Sequence, residues 1–349
     1  MNAPLLNGQV AVIGAGTMGI GIAQVAAAAG HPVRLFDIAP AAAQRAIDDL
    51  ARRLRQRVDG GKADAATTEA LLARLERADS LEQLADCALV IEAVAENLAI
   101  KQGLFRDLEA LCSPTTLFAS NTSSLSITAI AGALQHPERM AGLHFFNPAP
   151  LMKLVEIVSG LETGAETLAA LQALAQRWGK QSVVCRSTPG FIVNRVARPF
   201  YAETLRALEE RVADAATLDA VMRDAGGFAM GPLQLTDLIG QDVNYAVTDS
   251  VYQAFYQDPR FTPSLVQQEL VAAGRLGRKS GRGFYRYDAQ RPAAEMIAFA
   301  PPAQAAPPQR VTLHGDWSSL ADLAELLIEN AGAIKQPGQT SPYLTIDDV

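Results

Sequence analysis

Of the four histidines in the chain, His144 is the one whose neighbours suggest chemistry. It closes the short apolar segment Met140-Ala141-Gly142-Leu143 and is followed by Phe145-Phe146-Asn147-Pro148, which ends in a turn signal. Further on, Glu156 interrupts the strand-forming run Leu154-Val155-Glu156-Ile157-Val158. A carboxylate set among such residues is either solvated on a sheet edge or buried with a partner, and His144 is the nearest candidate partner. The spacing predicts the imidazole at the end of one strand and the acid on the next. An imidazole whose tautomer and cationic form are fixed by a carboxylate can act as a general base. On these residues alone, a core or surface histidine beside an unrelated edge-strand glutamate is an equal reading. His31 and His136 adjoin prolines in turns and His314 lies in the tail, so neither chemistry nor position favours them.

The elements that must position this pair begin with a buried strand, Gln9 to Ile13. It runs directly into Gly14-Ala15-Gly16-Thr17-Met18-Gly19 and a small-residue helix, Ile20 to Ala29. Strand, tight turn and helix in that order make a dinucleotide fingerprint. Gly14 allows the turn, Gly16 lets a pyrophosphate approach the backbone at the helix start, and Gly19 lets helix and strand pack closely. Gly30-His31-Pro32 ends the helix, Val33 to Phe36 reads as a second strand, and Asp37 closes it. An acid there accepts from the adenosine ribose hydroxyls and repels a 2′-phosphate, which favours NAD over NADP.

The run Cys87 to Val94 is a further buried strand, with Glu96-Asn97 and Lys101 just beyond it. Strand C-termini face the ligand crevice in such sheets, making Glu96 and Lys101 candidates for ribose or nicotinamide contacts; an ordinary helix start is the alternative. Leu117 to Ser120 is another strand, ending in the polar Asn121-Thr122-Ser123-Ser124, with Ser126 and Thr128 as caps for the next helix. Residues 41–81 read as two helices joined around Asp59-Gly60-Gly61-Lys62. Arg52, Arg53, Arg55, Arg57 and Lys62 cluster there, either as a polyphosphate grip or as a solvated face.

Thr188-Pro189-Gly190 punctuates the chain, and from Phe191 onward the pattern is helical and strand-poor, with Asn194 in the first helix at the domain junction. Helices are expected near Ala202 to Arg211, Leu218 to Ala225, Leu233 to Ala254 and Leu265 to Ala273. Residues 1–187 thus form an α/β dinucleotide-binding domain and 188–288 an all-α domain. Residues 289–309 are an Ala/Pro linker by composition, and 310–349 should add one strand and one helix.

A chain of 349 residues, 49% apolar, can build two substantial cores. The net charge of -7 argues against nucleic acid or an anionic membrane as main partner and for a small molecule. Cys87, Cys112 and Cys185 are odd in number and lack any Cys-x-x-Cys, which suits reduced thiols in a cytoplasm and no metal site. Neither a secretory leader nor a membrane span is legible.

Over about Gly8 to Tyr287 the chain resembles the NAD-dependent (S)-3-hydroxyacyl-CoA dehydrogenases. The motifs that carry the likeness are Gly14 to Gly19, Glu92-Ala93-Val94-Ala95-Glu96-Asn97, Ser120 to Ser124, His144 to Pro148, Pro189 to Arg195 and Lys279-Ser280-Gly281-Arg282-Gly283-Phe284-Tyr285. The resemblance implies a Rossmann-like domain followed by a helical one, His144 and Glu156 as catalytic base and partner, and Ser123 and Asn194 as substrate contacts. It also implies NAD contacts at Asp37, Glu96, Lys101, Asn121, Ser123, Asn147 and Lys279 besides the fingerprint residues Gly14, Gly16, Thr17, Met18 and Gly19. A helical arm meeting CoA, with Arg57 as one contact, and a homodimer through the helical domain complete the expectation. The tail looks like the opening of a further reduced nucleotide-fold unit of longer bacterial relatives, so a shortened member is expected. Those relatives include enzymes of phenylacetate degradation acting on 3-hydroxyadipyl-CoA.

The reaction expected from the resemblance is reversible oxidation of a 3-hydroxyacyl-CoA to the 3-oxoacyl-CoA, as in fatty acid β-oxidation or aromatic degradation. The alternative is a non-catalytic NAD-binding protein with a structural or regulatory role, since fold does not fix function.

Overall fold

The structure is a computed structural model and describes residues 8–39, 41–287, 310–331, 333–336 and 342–346; the Ala/Pro stretch 289–309 lies outside the described residues. Two compact units are formed, one from the chain up to Val212 together with Pro232–Tyr287, the other from Ala213–Gly231 and the chain beyond Asp288.

The first unit is built on an eight-stranded sheet: β1 (Val10–Ile13), β2 (Val33–Phe36), β3 (Leu75–Arg77), β4 (Leu89–Glu92), β5 (Leu117–Ser120), β6 (Met140–Phe145), β7 (Leu154–Ser159) and β8 (Gln181–Arg186). Their spatial order is β3-β2-β1-β4-β5-β6-β7-β8, and every neighbouring pair is parallel except β6 with β7. The order reverses between β1 and β4, which is where a doubly wound sheet opens a crevice at its strand C-termini. Between the strands run α1 (Thr17–Ala28), the arm helices α2 (Ala42–Asp59) and α3 (Ala65–Leu72), α4 (Leu98–Leu111), α5 (Ile127–Ala131) and α6 (Ala165–Arg177). β1, β4, β5 and β6 are buried along their length, as strands covered on both faces must be. Small residues explain how α1 presses onto them: a Cβ at Gly19 would fall 1.7 Å from the Gly14 carbonyl oxygen, and Ala23, Ala26 and Ala27 are fully buried.

The arm departs from expectation at its end. Residues 41–81 do hold two helices, but the stretch closes in the edge strand β3, whose three residues are too few to show a period in sequence. Ser126 caps α5 by accepting from Ala129 N, whereas Thr128 does not cap; its hydroxyl accepts from Leu161 N and ties α5 to the end of β7.

Beyond Pro189 the unit continues with α7 (Val193–Val196) and α8 (Arg198–Glu209). The second unit takes α9 (Ala215–Ala220), which runs on as a π-turn over Val221–Ala225. The first unit resumes with α10 (Pro232–Ile239), α11 (Gln241–Ala254) and α12 (Leu265–Ala272). The single helix expected over Leu233 to Ala254 is two, because Gly240 sits at φ +106. Its N–H still bonds Thr236 O and its carbonyl starts the next helix at Asn244 N, so one residue ends α10 and opens α11.

The second unit also holds β9 (Val311–His314), α13 (Ala321–Ala331), β10 (Ile334–Gln336) and β11 (Tyr343–Ile346), a three-stranded sheet in the order β10-β9-β11. The sequence reads there as one strand and one helix; β10 and β11 are short and largely exposed, which is why no buried pattern announces them. Val311, Leu313, Trp317, Ala324 and Ala333 form its core.

Among the described residues no helix is long and apolar enough to cross a membrane, and no group of three or more His, Cys, Asp or Glu could hold a metal ion.

Candidate active site

Register sets the centre of the site. Glu92, Ser120 and Gly142 stand level at the C-terminal edge of β4, β5 and β6, and β6 continues past that edge to His144. β7 returns antiparallel and places Glu156 directly opposite His144, so the two side chains share one face of the sheet. Nδ1 of His144 lies 2.7 Å from Oε2 of Glu156. The imidazole is 5% exposed and the carboxylate 0%. Phe146 and Phe191 flank the ring at centroid distances of 4.6 and 5.7 Å. Burial pushes the Glu156 carboxyl up, but the His144 bond and the N–H groups of Val193 and Ile192 outweigh it and hold the group below the usual carboxylate range. An ionised carboxylate only accepts, so Nδ1 carries the proton and Nε2 is the nitrogen with a free lone pair.

The other oxygen of Glu156, Oε1, accepts from Ile192 N and Val193 N, both at 2.9 Å. That fastens the start of α7 to the sheet and sets Asn194, whose Nδ2 reaches the Ser123 carbonyl at 3.4 Å. Four residues expected to work together are thereby tied into one assembly: His144 bonds Glu156, Asn194 bonds Ser123, and the backbone of Ile192 and Val193 joins the two pairs.

A second buried cluster supports the Ser120 to Ser124 turn. Glu92, 0% exposed, accepts from Lys101 Nζ at 2.6 Å, from Ser120 Oγ at 2.6 Å and from Val94 N at 2.7 Å. Lys101 Nζ also meets Glu96 Oε2 at 3.2 Å. Oε1 of Glu96 in turn accepts from Thr122 Oγ1 at 2.5 Å, from Ser124 Oγ at 2.9 Å and from the N–H groups of Ser123 and Ser124 at 3.1 Å. Lys101 is 1% exposed and spends its charge on two carboxylates, so here it braces the turn from beneath. Glu92 was missed as a functional candidate. The available signal was a carboxylate closing an otherwise apolar strand, the same signal that singled out Glu156. Asn121 accepts from Phe145 N through Oδ1 at 2.8 Å, pinning the end of β6 beside His144.

The cofactor end of the crevice fits a dinucleotide. Gly14 has φ +99, and a Cβ there would lie 2.5 Å from the Ala93 carbonyl oxygen. Space above Gly16 is open for 4 Å, and α1 starts with no side-chain cap and no acid in its first turn, leaving its N–H groups to an anion. Asp37 is fixed at the end of β2 by Ala15 N on Oδ2 at 2.7 Å and Ala39 N on Oδ1 at 2.8 Å. Thr17 and Asn147 line a groove of about 430 Å³ that runs from Gly16 to Arg53 and Arg57 of the arm. Met18 packs inward against the core. Of the arm cations, Arg52 is paired with Asp49 and Arg55 with Glu69, so Arg53 and Arg57 are the two that face the groove. Lys279 is paired with Asp242 at the start of α11. Cys87 and Cys112 are buried free thiols, and burial pushes them up to about 12 and about 11 respectively, which suits packing.

Residues 9–188 match the 3-hydroxyacyl-CoA dehydrogenase NAD-binding domain, and residues 190–287 match the 3-hydroxyacyl-CoA dehydrogenase C-terminal domain. The chain is 55% identical to the 3-hydroxyadipyl-CoA dehydrogenase of Escherichia coli over 94% of its own length and 68% of that protein. It is 41% identical to the mitochondrial hydroxyacyl-coenzyme A dehydrogenase of Sus scrofa, over 80% of this chain and 90% of that one. The crystal structure of 3-hydroxybutyryl-CoA dehydrogenase from Escherichia coli superposes with a TM-score of 0.80 at 60% identity, covering 82% of this chain but 60% of that one.

Proposed function

The chain belongs to the 3-hydroxyacyl-CoA dehydrogenase family, and from that premise we propose that it catalyses the reversible NAD-dependent oxidation of an (S)-3-hydroxyacyl-CoA to the 3-oxoacyl-CoA. The observation that carries the reading is the 2.7 Å bond between His144 and Glu156 at the C-terminal edge of the sheet. NAD, when bound, supplies the hydride acceptor. Gly14, Gly16 and Gly19 make room for its pyrophosphate, and Asp37 takes the ribose hydroxyls. Nε2 of His144 removes the proton of the C3 hydroxyl, and Glu156 stabilises the imidazolium. Ser123 and Asn194 hold the reacting oxygen in line, so that orientation contributes part of the rate enhancement. In the reverse direction the same imidazolium returns the proton.

Arg53 and Arg57 receive the CoA phosphates, supported by the groove they share with the helix start. The 55% identical relative is named for 3-hydroxyadipyl-CoA, the thioester of a six-carbon diacid, and that is the acyl group we propose. A homodimer is supported by exposed apolar side chains in the helical region, among them Val196, Val243, Tyr256 and Leu265. Free thiols suit a reducing cytoplasm.

The test is to follow NADH absorbance with acetoacetyl-CoA for the unaltered protein and for His144→Gln. Turnover should fall by roughly a hundredfold or more while NADH affinity stays within about twofold. Near-normal turnover in the variant removes the base assignment, and no turnover by the unaltered protein removes the enzymatic reading.

A further inference from the structure

Lys180 is a buried ammonium that the chemistry above does not use. It lies between α6 and β8 and is 9% exposed. Burial pulls it below its usual range and no acid offsets the pull. Lys101 and Arg139, also buried, are by contrast paired with Glu92 at 2.6 Å and Glu109 at 3.2 Å. The partners of Lys180 are two main-chain carbonyls, Ala149 O at 2.6 Å and Met152 O at 2.9 Å. A charged donor makes such bonds stronger than neutral ones, although stripping it of water is costly. The result is a tether on the connection between β6 and β7.

That connection walls the groove of about 430 Å³. Asn147 to Leu151 line it in succession, and α1 and the arm helix α2 supply most of the rest. Pro148, Ala149 and Pro150, with Leu50 and Leu54 of α2, make an apolar stretch, and Arg53 and Arg57 add two cations. The wall has few ties of its own. Pro148 O accepts from Leu151 N and Met152 N, both at 3.0 Å, which curls the segment without attaching it to another element. Among the described residues, Lys180 is the one side chain that bonds to it. Against α1 the fit is close: a Cβ at Gly21 would lie 3.3 Å from Ala149 Cβ and 3.5 Å from Pro150 Cδ. Two residues thus place the wall, a tether at Lys180 and a close approach at Gly21.

We infer that Lys180 is a positioning residue for the CoA part of the substrate. By holding Ala149 and Met152 it keeps the groove at the width that takes an uncharged stem ending in phosphates, and so sets how strongly a CoA thioester is preferred to the same acyl group on a short thiol. The inference rests on the dehydrogenase reading and assigns a further residue to the same site. An apolar stretch with two guanidinium groups fits a pantetheine stem and its phosphorylated end. Neither bond of Lys180 involves His144 or Glu156, so the proton-transfer pair is left as it is.

The experiment measures kcat and KM with NADH for acetoacetyl-CoA and for the short thioester acetoacetyl-N-acetylcysteamine, which carries no phosphate, in the unaltered protein, Lys180→Met, Lys180→Arg and Gly21→Val. Lys180→Met should raise KM for acetoacetyl-CoA by about tenfold or more. KM for the short thioester should stay within about twofold, and kcat within about threefold with an unchanged pH profile, as expected when binding common to ground and transition state is lost. Lys180→Arg keeps a charged donor and should recover part of the loss. Gly21→Val presses on the same wall and should reproduce the selective rise. Equal rises for both thioesters, or a fall in kcat with a shifted pH profile, would assign Lys180 to the acyl pocket or to the proton transfer; unchanged KM with a lowered melting temperature would reduce it to packing. Each overturns the inference. An unaltered protein that reduces both thioesters without preferring the CoA ester also overturns it, while leaving the dehydrogenase reading standing; inactivity on both removes both. If Lys180→Met does not fold, Gly21→Val decides: a KM rise confined to the CoA ester supports the assignment and its absence refutes it.

Discussion

Glu156 and Ile192 lie 36 residues apart and meet through one oxygen, Oε1 accepting from the backbone N–H at 2.9 Å. The acid that orients the imidazole is therefore also the anchor of the segment carrying Asn194. A glutamine in its place must turn its NH₂ toward either the ring N–H or the two backbone N–H groups, and each choice opposes donor to donor. Glu156→Gln is expected to lose about 1–3 kcal/mol of stability and on the order of a hundredfold in kcat. Denaturant unfolding and steady-state rates check this; a stable, fully active variant would show that the pairing is dispensable.

Two carboxylates of the site contribute to the acid limb of the stability profile. In Glu156 and in Glu96 burial acts upward, but the hydrogen bonds and nearby charges act downward more strongly, and both titrate below the ordinary 4.5. A carboxyl lowered on folding stabilises the native state above that ordinary value, and the contribution is lost as pH falls through the lowered one. Melting temperature should be insensitive to these groups from neutrality down to about pH 5 and decline below about 4.5. In Glu96→Gln, melts recorded across that range should show a shallower decline; an unchanged slope would remove Glu96 from this account.

Lys101 and Glu92 form a pair 1% and 0% exposed, so breaking it from one side strands a charge. Lys101→Met should cost about 3–5 kcal/mol, and combining it with Glu92→Gln should restore part of the loss. A double-mutant cycle by chemical denaturation measures the coupling. Additive losses would mean that the pair is not a unit.

Asp37 is the acid at the end of β2, held by two backbone N–H groups. Replacing it with serine removes the charge that opposes a 2′-phosphate, and kcat/KM for NADP relative to NAD should rise by about tenfold or more. Kinetics with both cofactors would expose the assignment as wrong if the ratio stays put.

Much of this architecture could be read from residue order because its signals are local. Gly14, Gly16 and Gly19 come after a strand and open a helix, Asp37 closes the next strand, and the apolar runs ending at Glu92 and Ser120 are buried strands as expected. The proximity of His144 and Glu156 is legible only as one of two equal readings of the residues, and register decides it, since β7 returns antiparallel and sets the acid opposite the ring. What could not be read depends on pairing between distant segments. β8 has only exposed and half-buried positions, with no buried face to announce it in sequence. The role of Glu92 appears only when Lys101 and Ser120 converge on it, and Thr128 looks like a cap until β7 brings Leu161 N to its hydroxyl. Gly240 in a helical run gives no notice of whether it will adopt φ +106 or continue the turn.

Reversal of β7 against β6 has a digital consequence. Slipping this pairing by one residue would present Val155 or Ile157 to the imidazole and send the acid to the opposite side of the sheet, with nothing in between. The burial of both strands holds the pairing in place, and the ammonium of Lys180, bonded to the carbonyls of Ala149 and Met152, fastens the connection from Asn147 to Lys153 that leads into it. The acid's place beside the ring is thus a two-valued property of the pairing, kept or lost whole and not by degrees.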